Sequence, residues 1–229
     1  MQVAVTGAAG FLGRAGVLLL LEAGHAVVAL GRNPGRLREA LGAGARCRAT
    51  SYEEGDLAEA MAGCGAVAHL AARRVAPAGE GEAAFAGPNL DLSRRVLRAA
   101  SASGVGAVVL ASSVSVYSPV NALPYSEEEV PVPSGPYGRS KLAAERLALE
   151  WAAGTGGRAV ALRLASLVGS GDRTGAGRML AVFLDRPVER AALDALLTRR
   201  AASALAIGPL SDAELTALLD RLLPLEPVT

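Results

Sequence analysis

Short apolar stretches alternate with stretches of helical composition through about the first 170 residues, and this alternation restricts the fold more than any other feature. The sequence predicts strands over residues 2–6, 25–30, 45–50, 66–71, 106–112 and 158–164. It predicts helices over residues 14–23, 34–41, 56–62, 89–103 and 137–153. The strands are nearly continuous apolar runs, which is typical of a sheet covered by helices on both faces. We therefore expect an α/β fold with a doubly wound parallel sheet.

Composition argues against several classes of partner. The 229 residues include 23 basic and 22 acidic side chains, so no net charge favours nucleic acid or an anionic membrane surface. Only 3% of the residues are aromatic, and the most apolar run, residues 17–21, is far shorter than the ~20 residues of a membrane span. The two histidines and two cysteines show no metal-ligand spacing. We expect a cytoplasmic protein that binds a small molecule and holds no metal.

The first predicted strand runs into a glycine-rich turn with the pattern G-x-x-G-x-x-G. Gly7 permits the tight turn, Gly10 lets the backbone approach a pyrophosphate, and Gly13 lets the helix and strand pack closely. The helix that follows, with Phe11 and Leu12 at its start, would offer its N-terminal N–H groups to the phosphates. Because the turn lies in the first strand–turn–helix unit of an α/β chain, it indicates dinucleotide binding and a Rossmann fold.

The residues after the second strand bear on the choice of dinucleotide. A carboxylate there would bind the 2′-hydroxyl of the ribose and select NAD. This chain instead has Gly31, Arg32 and Asn33, with Arg36 close by. A guanidinium can bind a 2′-phosphate through two parallel charged hydrogen bonds. The sequence therefore favours NADP over NAD, the alternative being that Arg32 is a solvated turn residue.

A tyrosine and a lysine are spaced one helical turn apart at the start of a long predicted helix. Tyr137 and Lys141 share a helix face at this spacing. A phenol with an ordinary pKa near 10 is a poor proton shuttle at neutral pH, but a nearby ammonium stabilises the phenolate. Ser113 follows the fifth strand, at the edge of the sheet where ligands bind, and could hold a substrate oxygen. Together these three residues indicate general acid–base chemistry on a hydroxyl or carbonyl group.

Taken in order, these motifs resemble those of the extended short-chain dehydrogenases/reductases, in particular the NAD(P)-dependent nucleotide-sugar epimerase/dehydratase family. The resemblance covers about residues 1–171. It rests on Thr-Gly-Ala-Ala-Gly-Phe-Leu-Gly at 6–13, His-Leu-Ala-Ala at 69–72, Asn89, Ser-Ser-Val-Ser-Val-Tyr at 112–117, Pro-Tyr-Gly-Arg-Ser-Lys at 136–141, and Leu-Arg-Leu at 162–164 leading to Gly169.

This resemblance implies roles for individual residues. Tyr137 would be the general base or acid, Lys141 would also bind the nicotinamide ribose, and Ser113 would orient the substrate hydroxyl. Further cofactor contacts are implied for Thr50, Leu70, Ala71, Ala72, Ser112, Leu164 and Leu167. Substrate contacts are implied for Ser113, Ser115 and Ser166. A homodimer is implied as well, formed through the helices that start at Asn89 and Tyr137.

Two departures from the family pattern narrow the expected reaction. The family often carries Gly-Asp after the third strand, where this chain has Ala49 and Thr50, and we interpret Asp56 as the N-cap of the next helix. Sugar 4,6-dehydratases have an acidic residue between the serine or threonine and the tyrosine of the strand-five motif. This chain has Val-Ser-Val at those positions, 114–116. An epimerase or a simple ketoreductase is therefore favoured over a dehydratase.

The C-terminal part of the chain is short for this family. The resemblance implies a NAD(P)-binding Rossmann domain over residues 1–169 and a small, reduced C-terminal substrate lobe over residues 170–229. Within this lobe, the pattern predicts helices over 179–200 and 211–222 and a strand over 201–207. Two alternatives follow from a short lobe: the substrate is smaller than a nucleotide sugar, or the protein has lost its enzymatic activity.

Two functions from different classes follow. The first is an NADP-dependent oxidoreductase or epimerase acting on a carbinol or ketone carbon of a sugar-like substrate, possibly a nucleotide sugar, through Ser113, Tyr137 and Lys141. The second is a non-catalytic NADP-binding sensor or scaffold protein. An intact set of serine, tyrosine and lysine weighs against the second function, because a protein that only binds the dinucleotide needs no tuned phenol.

Overall fold

Seven parallel strands form one sheet within residues 1–77, 80–121, 125–165 and 203–206, the parts of the chain that the computed structural model describes. The strands are β1 (Gln2–Thr6), β2 (Ala26–Gly31), β3 (Arg46–Ala49), β4 (Ala66–His69), β5 (Ala107–Ala111), β6 (Arg158–Arg163) and β7 (Ser203–Ala206). Their order across the sheet is β3-β2-β1-β4-β5-β6-β7. The direction of winding reverses between β1 and β4, and in such sheets ligands bind outside the carboxyl ends of the strands at that point.

Helices connect the strands on both faces of the sheet. They are α1 (Phe11–Glu22), α2 (Pro34–Leu41), α3 (Glu54–Met61), α4 (Ala83–Phe85), α5 (Leu92–Ala102) and α6 (Pro136–Thr155). A π-helical turn, Ala86–Asp91, joins α4 to α5, and a 3₁₀ turn, Val114–Val116, follows β5.

Alternate residues of β1, β2 and β4 supply two separate hydrophobic cores. On one face, Val3 and Val5 of β1 pack with Val17 of α1 and Leu37 of α2. On the other face, a larger cluster joins the sheet to α3, α5 and α6; its members include Ala4, Val28, Leu30, Leu57, Met61, Val96, Ala144, Ala148 and Trp151. Burial on both faces explains why the strands are continuous apolar runs, and it confirms the predicted doubly wound Rossmann fold.

The predicted strands and long helices are confirmed, with boundaries that move by one to three residues. The largest difference lies in residues 83–88, for which the sequence predicts neither helix nor strand. Helix α4 begins at Ala83, and the chain stays helical through the π turn into α5. Asn89 therefore lies inside a helical segment, within the π turn, and not at the head of the helix as predicted.

The interpretation of Asp56 as a helix N-cap was wrong. Helix α3 begins at Glu54 with Glu53 as its N-cap, so Asp56 lies in the first helical turn. Its carboxylate reaches back to accept hydrogen bonds from the backbone N–H of Ser51 at 2.6 Å and from the Ser51 hydroxyl at 2.9 Å. These bonds lower the pKa of Asp56 and fix the loop between β3 and α3.

The segment predicted as a substrate lobe contributes one strand to the sheet. β7 lies within the predicted strand at 201–207 and pairs with β6, with Leu205 beside Leu162. The predicted helices over 179–200 and 211–222 lie outside the described residues.

Within the described ranges, no helix combines the length and the apolar character that crossing a bilayer requires. The same ranges contain no cluster of three or more His, Cys, Asp or Glu side chains able to hold a metal ion. Both cysteines are free thiols; Cys64 is buried and Cys47 is half-buried.

Candidate active site

The glycine turn between β1 and α1 packs closely against the segment that follows β4. Gly7 has a φ of +71°, and a Cβ there would lie 2.7 Å from the backbone nitrogen of Ala71. A Cβ at Gly13 would overlap the carbonyl oxygen of Gly7. Gly10 is the N-cap of α1, so Phe11 and Leu12 form the first turn of that helix. The helix therefore starts at the floor of the winding-reversal crevice, with its N–H groups and positive dipole end available to an anion.

A cleft of about 790 Å³ opens above this turn. Its walls come from the carboxyl ends of β1 and β2, the segments after β3 and β4, the π turn and the start of α5. Eight residues predicted to bind the cofactor line the cleft: Gly7, Gly10, Arg32, Asn33, Arg36, Leu70, Ala71 and Ala72. A cleft of this volume, floored by side-chain-free backbone at a helix N-terminus, fits a dinucleotide.

The other predicted cofactor residues lie elsewhere. Thr50 is buried, and its hydroxyl accepts a hydrogen bond from the backbone N–H of Tyr52 at 3.0 Å. Ser112 donates its hydroxyl proton to Glu145 instead of facing the cleft. Leu164 is buried beside the 3₁₀ turn, where its carbonyl accepts from the N–H of Val114 at 2.9 Å. Leu167, and the predicted substrate residue Ser166, lie outside the described residues.

Tyr52 is a cleft residue that the sequence analysis missed. It is 8% exposed and has a φ of +65°, a conformation that a bulky residue rarely adopts. Its hydroxyl donates to the carbonyl of Leu30 at 3.3 Å, and the Arg32 guanidinium lies 5.7 Å from its ring centroid. Burial raises the pKa of Tyr52, partly offset by a hydrogen bond from the backbone N–H of Gly7. Tyr52 thus links the glycine turn to the residues after β2. A possible signal was an aromatic residue just after β3 in a chain with few aromatics.

The cleft is lined by positive charge. Arg32, Arg36, Arg73 and Arg95 lie on its walls, and none of the described lining residues is Asp or Glu. Arg95 approaches the carboxylate of Glu53, with its Nη1 atom 3.0 Å from Oε1. Arg73 and Arg95 were also missed, because isolated arginines carry no motif. The summed charge favours an anionic ligand.

Ser113, Tyr137 and Lys141 come together at the carboxyl end of β5. The Ser113 hydroxyl lies 3.1 Å from that of Ser115 and is near enough to the Tyr137 phenol to lower the pKa of that phenol. Lys141 Nζ donates to the carbonyl of Ala111 at 2.7 Å and lies 5.8 Å from the centroid of the Tyr137 ring. Ser115, the other predicted substrate residue in this turn, is exposed.

A glycine in the first turn of α6 makes this arrangement possible. A Cβ at Gly138 would overlap the carbonyl oxygen of Ser115. The helix can therefore pack directly on the backbone that follows Ser113, which brings Tyr137 to the serine hydroxyl. The spacing of tyrosine and lysine was visible in the sequence, whereas this close approach was not.

The electrostatic environment of the pair combines burial with charge. Burial lowers the pKa of Lys141 to about 8, although the Glu145 carboxylate acts in the opposite direction. Burial also raises the pKa of Tyr137, while the Arg74 guanidinium and the hydrogen bond with Ser113 lower it. The sequence analysis attributed this lowering to the lysine alone and missed Arg74.

Asn89 connects the wall of the cleft to the start of α6 by hydrogen bonds. Its side-chain oxygen accepts from the N–H of Arg73 at 2.7 Å, and its amide donates to the Arg73 carbonyl at 3.1 Å and to the Ser140 hydroxyl at 3.0 Å. Ser140 in turn donates to the carbonyl of Tyr137 at 2.7 Å. One buried amide thus holds the wall after β4 at a fixed position relative to the start of α6.

His69 has a structural role next to this site. Its Nδ1 lies 2.7 Å from the Thr6 hydroxyl and its Nε2 lies 3.1 Å from the Ser93 hydroxyl. Burial, together with the charge of Lys141, lowers the pKa of His69 to about 3, so the ring is neutral at physiological pH. The histidine therefore joins β1, β4 and α5 without carrying charge.

A strand order that reverses beside a glycine-rich helix start, with serine, tyrosine and lysine at the adjacent strand end, defines a dinucleotide-binding protein of the short-chain dehydrogenase/reductase type. Residues 3–200 match the model of the NAD dependent epimerase/dehydratase family. The chain belongs to this family.

Individual relatives agree with this assignment. The chain is 31% identical over 210 residues to a UDP-glucose 4-epimerase of Azospirillum brasilense, covering 87% of this chain and 58% of the relative. A UDP-N-acetylglucosamine 4-epimerase from Bacillus cereus superposes with a TM-score of 0.77 at 26% identity, covering 96% of this chain and 84% of that one. MoeE5 in complex with UDP-glucose and NAD gives 0.73 at 32% identity, covering 99% and 83%. The chain spans 53% to 58% of the length of the UDP-glucose 4-epimerases that it matches in sequence.

Proposed function

We propose that the protein is an NADP-dependent epimerase or ketoreductase that acts on a carbinol or ketone carbon of a nucleotide-sugar-like substrate. The observation that carries this proposal is the grouping of Ser113, Tyr137 and Lys141 at the carboxyl end of β5, with Lys141 Nζ bound to the Ala111 carbonyl and 5.8 Å from the centroid of the Tyr137 ring. A protein that only senses or binds the dinucleotide has no need of this arrangement. The assembled site therefore favours catalysis over the sensor or scaffold function.

The residues of this chain divide the chemistry among them. Ser113 holds the substrate oxygen by a hydrogen bond, and Tyr137 takes up or returns the proton of the reacting hydroxyl. The Arg74 guanidinium lowers the pKa of the phenol against the effect of burial. The Lys141 ammonium, 5.8 Å from the ring centroid, would add to the stabilisation of the anionic form. A bound nicotinamide would supply the hydride acceptor or donor. Gly7 and Gly10, with the first turn of α1, would hold its pyrophosphate.

Arginine side chains support NADP as the preferred dinucleotide. Arg32 and Arg36 both line the cleft at the end of β2, and both are exposed enough to reach a bound phosphate. The Asn33 side chain caps α2 by accepting from the N–H of Arg36 at 3.1 Å, which fixes the turn between the two arginines. The family name and the NAD-bound structure of MoeE5 favour NAD instead. The affinities of the wild type and of Arg32→Ala for NADPH and NADH decide between the two cofactors.

The nucleotide sugar is proposed from the relatives, whose names specify UDP-sugars. The 3₁₀ turn between Ser113 and Tyr117 carries Val114, Ser115 and Val116, so it lacks the carboxylic acid that a sugar dehydratase uses for elimination. This supports epimerisation or simple reduction. We also propose a cytoplasmic homodimer formed through α5 and α6, which light scattering at high protein concentration would test.

A direct assay tests the proposed reaction. The purified chain is incubated with UDP-glucose, UDP-N-acetylglucosamine or UDP-glucuronic acid and with either cofactor, and the sugar is followed by proton NMR. We expect turnover that Tyr137→Phe abolishes and that Tyr125→Phe, a matched change outside the cleft, preserves. Activity retained by Tyr137→Phe would contradict the mechanism. Retention of the cofactor in native mass spectrometry would identify an epimerase, since a reductase exchanges its cofactor in each cycle.

A further inference from the structure

Glu145 is the third member of a row of side chains on α6 that begins with Tyr137 and Lys141. The three residues are four positions apart and so share one face of the helix. Glu145 is 2% exposed and accepts a hydrogen bond from the hydroxyl of Ser112. The carbonyl of Ala111, the residue before Ser112, accepts a hydrogen bond from Lys141 Nζ at 2.7 Å. Two consecutive residues at the end of β5 thus hold two successive turns of α6.

A buried arginine fixes the orientation of the Glu145 carboxylate. Arg163 on β6 binds both carboxylate oxygens, with Nη2–Oε2 at 2.9 Å and Nε at 3.2 and 3.3 Å from the two oxygens. The two side chains are only 7% and 3% exposed. Arg163 Nη1 also donates to the Tyr117 hydroxyl at 2.5 Å, and that hydroxyl donates to the carbonyl of Ser126 at 2.7 Å. The carboxylate therefore has one fixed position next to the lysine.

The charges around Lys141 do not balance without Glu145. Among the described residues, the titratable side chains that interact with Lys141 are Tyr137 and Glu145 on α6 and His69 at the end of β4, and Glu145 is bound in turn by Arg163 on β6. The phenol and the imidazole are neutral at physiological pH. The elements packed on the other side, the π turn and α5, present the uncharged Asn89 and Ser93. Among these described groups, Glu145 is the one carboxylate that acts on both buried cations: it pairs directly with Arg163 and acts on Lys141 from one helical turn away.

We propose that Glu145 is a positioning residue of the active site: held by Arg163 and Ser112, its carboxylate is the buried counter-charge that keeps Lys141 in its ammonium form beneath Tyr137. The catalytic meaning of this coupling rests on the proposed function, whereas the coupling itself does not. Burial alone would drive Lys141 towards the neutral amine, which would remove positive charge from beneath the phenol. Glu145 opposes that tendency, consistent with its effect on the pKa of Lys141.

The sequence makes a direct measurement possible, because Lys141 is the only lysine among the 229 residues. Protein labelled with ¹³C-lysine gives one ε-methylene signal, and its chemical shift reports the protonation of this amine as the pH is raised. No substrate, cofactor or turnover is needed. The wild-type titration should have its midpoint near pH 8.

Two variants should move this midpoint in opposite directions. Glu145→Gln keeps the shape and the hydrogen bond from Ser112 but removes the charge, so the midpoint should fall by about one pH unit. Arg163→Gln frees the carboxylate from its competing cation, so the midpoint should rise. A merely structural pair, whose loss loosens the site, would move both midpoints in the same direction towards the value of a solvated lysine. That result, or no shift in Glu145→Gln, would overturn the proposal.

Controls cover folding and charge in general. Should Glu145→Gln not fold, the double variant Glu145→Gln/Arg163→Gln removes the whole buried pair without leaving the arginine unpaired. Its midpoint should lie below that of Arg163→Gln, because these two variants differ only in the carboxylate charge. Equal midpoints in these two variants would contradict the proposal. Arg48→Gln and Glu59→Gln, which break an ion pair at the surface, should leave Lys141 unaffected. A shifted midpoint in a protein without turnover would support the coupling and count against only the proposed function.

Discussion

The cleft above the glycine turn and the corner that holds Ser113, Tyr137 and Lys141 lie at the same edge of the sheet, but they are built in different ways. The cleft is formed by the backbone at Gly7 and Gly10 and by the long side chains of arginines on its walls. The corner is formed by buried ionisable groups, with Lys141 at 4% and Glu145 at 2% exposure. Binding a dinucleotide requires room and positive charge, whereas proton transfer requires groups whose protonation the surroundings control. Substitutions in the two regions should therefore fail in different ways.

The largest expected effect is the loss of turnover in Lys141→Met. Removing the ammonium should lower kcat by about 10²–10⁴-fold, while the dinucleotide still binds. The variant should be at least as stable as the wild type, because a buried ammonium carries a desolvation penalty that methionine lacks. Turnover and thermal unfolding of the same preparations check both statements. A Lys141→Met variant that is less stable than the wild type but keeps its specific activity would contradict both expectations.

The same pair of proteins gives a pH dependence with a definite sign. The pKa of Lys141 is about 8 in the folded chain and 10.5 in its unperturbed state, so the unfolded chain binds more protons between these values. The penalty is fully present below pH 8 and is relieved as the pH rises towards 10.5. The stability of the wild type relative to Lys141→Met should thus increase over this range. A difference that stays flat in urea unfolding from pH 7 to 10.5 would show that the amine titrates normally.

Gly138→Ala tests the close approach that assembles the corner. The new methyl group would overlap the carbonyl oxygen of Ser115, so the start of α6 must shift, at an expected loss of about 2–3 kcal/mol in stability. Gly154→Ala near the end of the same helix has open space around it and should raise stability by about 0.5–1 kcal/mol. Urea unfolding of both variants gives the comparison. Equal effects would mean that Gly138 is an ordinary helix glycine.

In the cleft, Arg32→Ala should change cofactor choice with little effect on folding. We expect the affinity for NADPH to fall about 10–100-fold, the value of one or two charged hydrogen bonds, and that for NADH to change by less than about twofold. Arg38→Ala, on the outer side of α2, is the matched control. Titration calorimetry measures the affinities of the wild type and both variants for the two cofactors. Equal binding of NADPH and NADH by the wild-type protein would remove the argument for NADP.

The smallest effect is expected for Tyr52→Phe. The ring and its contact with Arg32 stay, but the hydrogen bond to the Leu30 carbonyl is lost. One neutral hydrogen bond contributes about 1 kcal/mol, so the melting temperature should fall by a few degrees or less. Cofactor selectivity should not change. A large loss of affinity for both cofactors would instead place the Tyr52 hydroxyl in direct contact with the ligand.

The contrast between the two regions also explains which features the sequence could predict. The sheet, the glycine turn and the Tyr137–Lys141 spacing are local patterns, and the structure has each of them where the sequence predicted it. Tyr52, Arg74 and the Glu145–Arg163 pair depend on side chains far apart in the chain, and no local pattern marks them. Ser112 shows that a local motif does not fix a side chain's partner. Its place in the motif predicted a cofactor contact, but its hydroxyl donates a hydrogen bond to Glu145. The prediction that Asp56 is an N-cap was wrong for a related reason, because its carboxylate binds Ser51 in the loop before the helix.

A crystal structure of the protein grown with NADP tests the central claim most directly. The account predicts a pyrophosphate on the first turn of α1 and a nicotinamide ring within contact distance of the Tyr137 and Ser113 hydroxyls. It also predicts that the Tyr137 hydroxyl faces the reactive carbon of that ring. A dinucleotide bound with its nicotinamide far from Tyr137, or a phenol turned away from the ring, would contradict the account.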